Sequence, residues 1–232
     1  MTTLKLALHD ACTEVASEFP DWRFVSGEFK RHPLDGTSIS IVPGFYIRDG
    51  NTPLQPSLVV RHAKSMSMFK KLFNYSQPTS IVIFQQIAQL LCHLPEELRL
   101  GGWIFSDRAL QTKRAPPNDP ARLVDITEVK PVLRAMVSDG IGLIDKLYDF
   151  SSEKLLLSSL PPKYATRHVN SPYDEFERQK GVMVCVIHAY LGDFAFVEHY
   201  MSDEYKTVFP KRMTELNKLL AVLPTLKPGG FV

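Results

Sequence analysis

The sequence predicts an α+β protein, with an N-terminal helix and a small antiparallel sheet followed by C-terminal helical hairpins. Two patterns support this fold class. In the first half, apolar residues change from a three-and-four spacing to alternation, which is typical of a helix followed by strands. In the second half, helical spacing returns and is interrupted by short turn signals, at which consecutive helices can fold back on one another.

The first helix is predicted from Leu4 to Phe19, with Thr2 or Thr3 as its cap, and it ends at Pro20 and Asp21. Its apolar residues form one stripe along a single face, which should be buried. The stripe consists of Leu4, Leu8, Ala11, Cys12, Val15 and Phe19.

Three short strands should follow as an antiparallel meander. The first contains Trp22, Phe24 and Phe29, and Ser26 and Gly27 interrupt its centre. Either Trp22 and Phe24, or Trp103 and Phe105 further along the chain, are expected in the core that joins the sheet to its helices.

The second strand is predicted from Thr37 to Ile47, with a bulge at Pro43-Gly44. A turn at Asp49-Gly50-Asn51 separates it from the third strand, Leu54 to Arg61.

The segments after the meander are less regular. Lys64 to Tyr75 favours a short helix. Thr79 to Leu94 begins like a strand, but Ile87, Leu90 and Leu91 continue at helical spacing, so a helix is favoured there. A further strand, which contains Trp103 and Phe105, is expected from Gly101 to Asp107.

A proline-rich loop should divide the chain, because prolines remove backbone donors and fix the backbone angle. The predicted organisation is a sheet half at residues 1–112, the loop at 113–124 and a helical half at 125–232, packed together as one unit. The predicted helices of the second half begin at Glu128 after an Asp125-Ile126-Thr127 cap, at Ser151 or Ser152, at Pro172, at Asp193 and at Ser202 or Thr207.

Composition excludes several classes of protein. The net charge is +2 and no strong basic stripe occurs, so a nucleic-acid partner is not expected. The three cysteines, Cys12, Cys92 and Cys185, are scattered, which favours a reducing compartment and therefore the cytoplasm. Neither a signal peptide nor a membrane span is predicted from the apolar runs.

No catalytic motif is found. The sequence lacks the glycine-rich phosphate-binding patterns and the GxSxG of serine hydrolases. Cys185 lies three residues before His188, but its apolar neighbours should raise the pKa of the thiol and make it a core residue. The chain is therefore not predicted to be an enzyme, and no cofactor is expected.

A metal site was considered at His188, Asp193, Glu198 and His199. Zinc ligands on a helix need four-residue spacing to share a face, whereas Glu198 and His199 are adjacent. Asp193 is better interpreted as a helix cap, so no metal is predicted.

The stretch from residue 193 to 204 is the predicted partner-binding surface. It contains acidic residues and aromatic residues without any lysine or arginine, which suits a basic protein partner. The candidate contact residues are Asp193, Glu198, Tyr200, Asp203 and Glu204.

Five segments define the layout of the chain: FPDWRFVSGEFKRHP, PGFYI, PSLVV, DITEVKPVLRAMVSDGIGLIDKLYDFSSEKLLLSSLP and GVMVCVIHAYLGDFAFVEHY. This layout resembles α+β immunity proteins encoded beside bacterial polymorphic and type VI secretion toxins, over about residues 1–223. The resemblance implies a cytoplasmic protein that neutralises a cognate toxin, such as a basic nuclease-like effector, by direct association, with no catalytic residues. Two alternatives stay open: a phage or prophage structural or assembly protein, and an enzyme whose site is assembled from scattered residues.

Overall fold

The structure is a computed structural model of the 232-residue chain. It describes residues 3–45, 51–54, 56–74, 81–83, 103–106, 122–125, 129–159, 175–200, 202 and 210–228.

The described residues form a mixed α+β fold, which confirms the predicted N-terminal helix, antiparallel sheet and later helices. The helices are α1 (Thr3–Ser17), α2 (Ala63–Phe73), α3 (Val129–Leu147), α4 (Glu153–Ser158), α5 (Glu175–Leu191), α6 (Phe194–Tyr200) and α7 (Pro210–Val222), followed by a 3₁₀ turn at Leu223–Thr225. The strands are β1 (Arg23–Val25), β2 (Glu28–Arg31), β3 (Thr37–Val42), β4 (Asn51–Pro53), β5 (Ser57–His62), β6 (Ile81–Ile83), β7 (Trp103–Ser106) and β8 (Arg122–Asp125).

The first sheet has the strand order β1-β2-β3-β5-β6, and its first three strands are antiparallel neighbours. The single broken strand predicted around Ser26 and Gly27 is wrong, because β1 and β2 are two strands of a hairpin. Ser26 has φ 55° and Gly27 has φ 81°. Two successive left-handed residues are the geometry of a tight type I′ reversal, which matches the twist of the strands on either side.

The predicted bulge at Pro43-Gly44 is also wrong. Strand β3 ends at Val42, and Gly44 has φ 69°, a conformation that leaves the strand. The predicted turn at residues 49–51 extends one residue too far, since Asn51 already belongs to β4.

The helix favoured for Thr79 to Leu94 is wrong at its start, where Ile81–Ile83 forms β6. Three consecutive β-branched residues fit a strand better than a helix, and the helical spacing comes only from residues further on. Residues 84–94 lie outside the described part of the chain.

The second sheet has the order β4-β7-β8, with β4 and β7 antiparallel and β7 and β8 parallel. Strand β7 confirms the predicted strand around Trp103. Strand β8 is a correction, because Arg122–Asp125 was expected to be the end of the loop and a helix cap. The rest of that loop, residues 113–121, is outside the described residues.

The chain divides into two compact units. Unit 1 consists of residues 1–33, 38–60 and 82–146, and unit 2 of residues 34–37, 61–81 and 147–232. Each unit combines segments from both sides of the 113–124 loop. The two units therefore do not correspond to the first and second halves of the sequence.

The core of unit 1 includes the stripe residues of α1 from Leu4 to Val15, together with Trp22, Phe29 and Ile41, all of which are buried. Phe19, the last residue of the predicted stripe, lies beyond the end of α1 and is only half-buried. Phe24 is only half-buried, as the alternation of β1 requires. Two ion pairs join helices: Glu14 with Lys130, and Glu18 with Arg134, where Nη2 is 2.7 Å from Oε1.

Unit 2 is built around α5, which packs against α2, α6 and α7. Its residues from 181 to 187 are all buried, and an apolar surface on every side is typical of a central helix. The short helix α4 begins at the predicted cap, since the Ser152 side chain accepts a hydrogen bond from the Leu155 N–H. The last helix starts at Pro210, later than Ser202 or Thr207, and proline suits a first helical position.

Candidate functional site

The turn between α5 and α6 is formed by one glycine with a left-handed conformation and by two backbone hydrogen bonds. Gly192 has φ 80°, which glycine adopts without the steric cost of a Cβ atom. Its N–H donates to the Ala189 carbonyl at 3.1 Å, and the Asp193 N–H donates to the His188 carbonyl at 2.9 Å. This pair of hydrogen bonds is the Schellman motif, and it satisfies the terminal carbonyls of α5.

Asp193 then begins α6. Its Oδ1 accepts the Phe196 N–H at 3.2 Å, which confirms the predicted helix cap. Its other oxygen, Oδ2, lies 2.9 Å from His188 Nδ1. The same carboxylate therefore caps one helix and holds a side chain of the preceding helix.

An aromatic stack forms beside this carboxylate. The ring of His188 lies on the ring of Phe196, with centroids 3.6 Å apart and planes 9° apart. Phe196 also faces Tyr200, with centroids 6.0 Å apart. We refer to His188, Asp193 and Phe196 as the α5–α6 corner. Its aromatic rings are fixed by packing, and the Asp193 side chain keeps 49% of its surface exposed.

The structure does not bring the described residues that were predicted to bind a partner onto one surface. Asp193 and Glu198 are both exposed, but they are five positions apart and so lie about 140° apart around the helix axis. Tyr200 is buried, with 7% of its surface exposed, so it supports the corner from inside. Asp203 and Glu204 lie outside the described residues.

Sequence reasoning missed the stack of His188 on Phe196. The histidine and the phenylalanine are eight residues apart, a spacing with no meaning within one continuous helix. The signal was Gly192, because a left-handed residue after a helix reverses the chain and brings the next helix back onto the last turn.

A second polar cluster lies in unit 2 and is centred on His62, which is fully buried. Its Nδ1 accepts the Ser65 N–H at 3.2 Å and lies 2.7 Å from Ser65 Oγ, so the imidazole caps α2. Since Nδ1 is an acceptor, Nε2 donates to Glu153 Oε1, 2.8 Å away.

Glu153 collects two further donors. Lys64 Nζ donates to Oε1 at 2.8 Å, and the Tyr190 hydroxyl donates to Oε2 at 3.2 Å. Partial burial raises the pKa of this carboxyl, but the hydrogen bonds from Lys64 and His62 outweigh it and hold the pKa of Glu153 below its usual value. The cluster joins the first turns of α2 and α4 to the end of α5.

Ser65, His62 and Glu153 form a line of hydrogen bonds that resembles the order of a nucleophile, a base and an acid. A nucleophile must reach its substrate, yet Ser65 and His62 are both 0% exposed. This line therefore fixes the start of α2 and offers no surface for catalysis.

The described cysteines are buried as well. Burial raises the pKa of the Cys12 thiol and of the Cys185 thiol, which disfavours the reactive thiolate. This confirms the predicted apolar setting of Cys185. Cys92 lies outside the described residues.

Among the described residues, no group of three or more His, Cys, Asp or Glu side chains is placed to hold a metal ion. None of the helices in the described ranges is both long and apolar enough to cross a membrane.

Comparisons with protein-family models, with curated proteins and with solved structures found no match for this chain.

Proposed function

We propose that this chain is an immunity-type binding protein, which neutralises a cognate protein toxin by direct association and acts by binding instead of by catalysis. The observation that supports this most directly is the α5–α6 corner. There, the Phe196 ring is stacked on His188 beside the exposed carboxylate of Asp193.

A surface of this kind suits protein recognition for a physical reason. Aromatic side chains supply much of the affinity at interfaces, and a ring that is already held in place loses little conformational entropy on binding. In the corner, the Gly192 turn and the stack fix Phe196 before any partner arrives.

The charge around the corner favours a basic partner. Residues 193–200 contain Asp193 and Glu198 but no lysine or arginine. Exposed carboxylates steer a basic protein toward the surface and raise the association rate at low salt. A toxin that acts on nucleic acid is commonly basic, which makes a nuclease-like effector the proposed partner.

The test measures association of the full chain with the product of the adjacent gene by biolayer interferometry. We expect Phe196→Ala to dissociate about thirtyfold faster, which corresponds to the loss of a buried interface anchor of about 2 kcal/mol. Glu198→Lys should slow association severalfold at low salt. The matched control is Asp145→Lys, which reverses an exposed acid of α3 in the other unit.

Two outcomes would contradict the proposal at different levels. If Phe196→Ala, with a wild-type melting temperature, binds like the wild type, the α5–α6 corner is not the interface. If the wild-type chain does not associate with the adjacent gene product at all, the immunity function itself is wrong.

A further inference from the structure

We infer that a groove beside α1 in unit 1 binds a small amphipathic carboxylate, meaning one apolar chain or ring with a single anionic headgroup. The groove has a volume of about 440 Å³, within the usual range of small-molecule sites. It lies between α1, the β1–β2 turn and the residues that follow β3. This inference concerns unit 1 and does not depend on the proposed toxin partner.

The walls of the groove are mainly apolar. Leu8 comes from α1, Phe24 from β1, and Val42 and Phe45 from the end of β3 and the residues beyond it. Phe24 is held in position by its neighbours, since its ring centroid lies 5.1 Å from that of Phe29 and 5.6 Å from that of His9. A fixed apolar wall favours an apolar ligand body, because its burial removes hydrocarbon surface from water.

Two glycines with a left-handed backbone conformation contribute to the lining of the groove. Gly27 has φ 81° and Gly44 has φ 69°, and both line the groove. A Cβ atom built on Gly27 would have no atom within 4 Å, so this rim is open to a ligand. The site is thus shaped by two left-handed turns that the sequence encodes as glycines.

The charged side chains at the rim of the groove determine which headgroup of a ligand would be bound favourably. Lys5 lines the groove and is exposed, and no hydrogen bond or ion pair of its ammonium is found among the described residues. Among the described lining residues, the other titratable group is His9, which faces Asp10 with 3.6 Å between Nδ1 and Oδ1. Within the described part of the groove, the available charge is therefore the Lys5 cation, which complements a carboxylate.

The experiment titrates the full chain with decanoate, 1-decanol and decylammonium, all below their micellar concentrations, and follows backbone amides by NMR. We expect decanoate to bind saturably at one site and to shift the amides of Phe24 and Val42. The alcohol should bind more weakly, and the cation should not bind. Equal binding of decanoate and 1-decanol would overturn the assignment of the charge.

Variants of the protein distinguish binding of decanoate in the groove from non-specific binding elsewhere on the surface. Lys5→Glu should weaken decanoate about fivefold or more, because it replaces an attraction of one charge pair with a repulsion. Val42→Trp should fill the groove and abolish binding. The control Lys146→Glu makes the same charge change at an exposed lysine of the same unit and should leave the affinity unchanged.

The inference is wrong if decanoate does not bind the wild type or if its shifts map away from the groove. It is equally wrong if Lys146→Glu weakens binding as much as Lys5→Glu does. Lys5 is exposed, so failure of its variant to fold is not expected, and the melting temperature of each variant checks this.

Discussion

At the scale of single residues, Glu153 is the side chain that ties three helices of unit 2 together. It accepts hydrogen bonds from His62, Lys64 and Tyr190, which come from the starts of α2 and the end of α5. Its own helix, α4, gains from a negative charge in the first turn, because the helix N-terminus carries partial positive charge. The ionised form of Glu153 is therefore the form that the folded state stabilises.

This predicts a specific pH dependence. The pKa of Glu153 is lowered in the folded state, so its stabilisation is present above the ordinary value of 4.5 and is lost as pH falls through the lowered pKa. Glu153→Gln should cost about 1–3 kcal/mol of unfolding free energy near pH 7, and the difference from wild type should shrink near pH 3. Urea unfolding at both pH values measures it.

Glu198→Gln is the matched control, since Glu198 is an exposed acid of the same unit. It should change the unfolding free energy by less than about 0.5 kcal/mol at either pH. A difference between Glu153→Gln and wild type that stays constant with pH would show that the carboxylate does not stabilise the fold by its charge.

The helix caps show which contacts of single residues can be predicted from the sequence. Ser152 and Asp193 were predicted because serine and aspartate before an apolar run are typical helix starts. The His62 cap was not predicted, because histidine is not a usual cap and its acidic partner is 91 residues away in sequence. Such a contact depends on the tertiary fold, which no local pattern encodes.

At the scale of elements, three glycines illustrate different roles in unit 1. Gly27 occupies the left-handed turn of the β1–β2 hairpin. Gly140 lies on α3 where an added Cβ would come within 2.6 Å of Ile41 Cδ1, so its absence lets helix and strand approach closely. Gly142, two residues later, would meet nothing within 4 Å.

Replacing glycine with alanine should therefore stabilise the protein at one of these positions and destabilise it at the other two. Gly142→Ala should stabilise the protein by about 0.5–1 kcal/mol, because alanine is the better helix former and has room. Gly27→Ala should destabilise it by about 1–2 kcal/mol, because a left-handed conformation is strained for alanine. Gly140→Ala should also destabilise, since Ile41 is fully buried. Thermal unfolding of the three variants measures the order, and a destabilised Gly142→Ala would contradict it.

Elements with a long periodic pattern were predicted well. Helices α1 and α3 have regular apolar stripes, and Leu133, Met136 and Val137 of α3 are buried. Short elements were predicted incorrectly. Ile81–Ile83 is a strand where a helix was predicted, and Ser26-Gly27 is the turn of a hairpin where a single strand was predicted. An apolar segment of only three or four residues is compatible with both a helix and a strand. Its secondary structure is therefore determined by the strand with which it pairs, and that strand is distant in sequence.

At the scale of the whole molecule, the predicted α+β class is confirmed, whereas the grouping of segments into units could not be read from the linear order. Helix α3 follows the proline-rich loop in sequence, yet it belongs to unit 1 with the first strands. The candidate site was predicted in part: Asp193 and Glu198 are exposed as expected, but Tyr200 is buried. On this seven-residue helix, Tyr200 is buried and Phe196 is only half-buried, and the difference depends on which face of the helix meets α5.

We propose that the chain protects by binding, and co-expression with the adjacent gene product, in cells that otherwise lack both proteins, tests this. We expect the adjacent product alone to stop growth, the chain to restore it, and the two proteins to elute as one stoichiometric complex in gel filtration. Phe196→Ala should lose both protection and the complex, while Asp145→Lys should keep both. Restored growth without a complex, or no toxicity of the adjacent product, would contradict the claim.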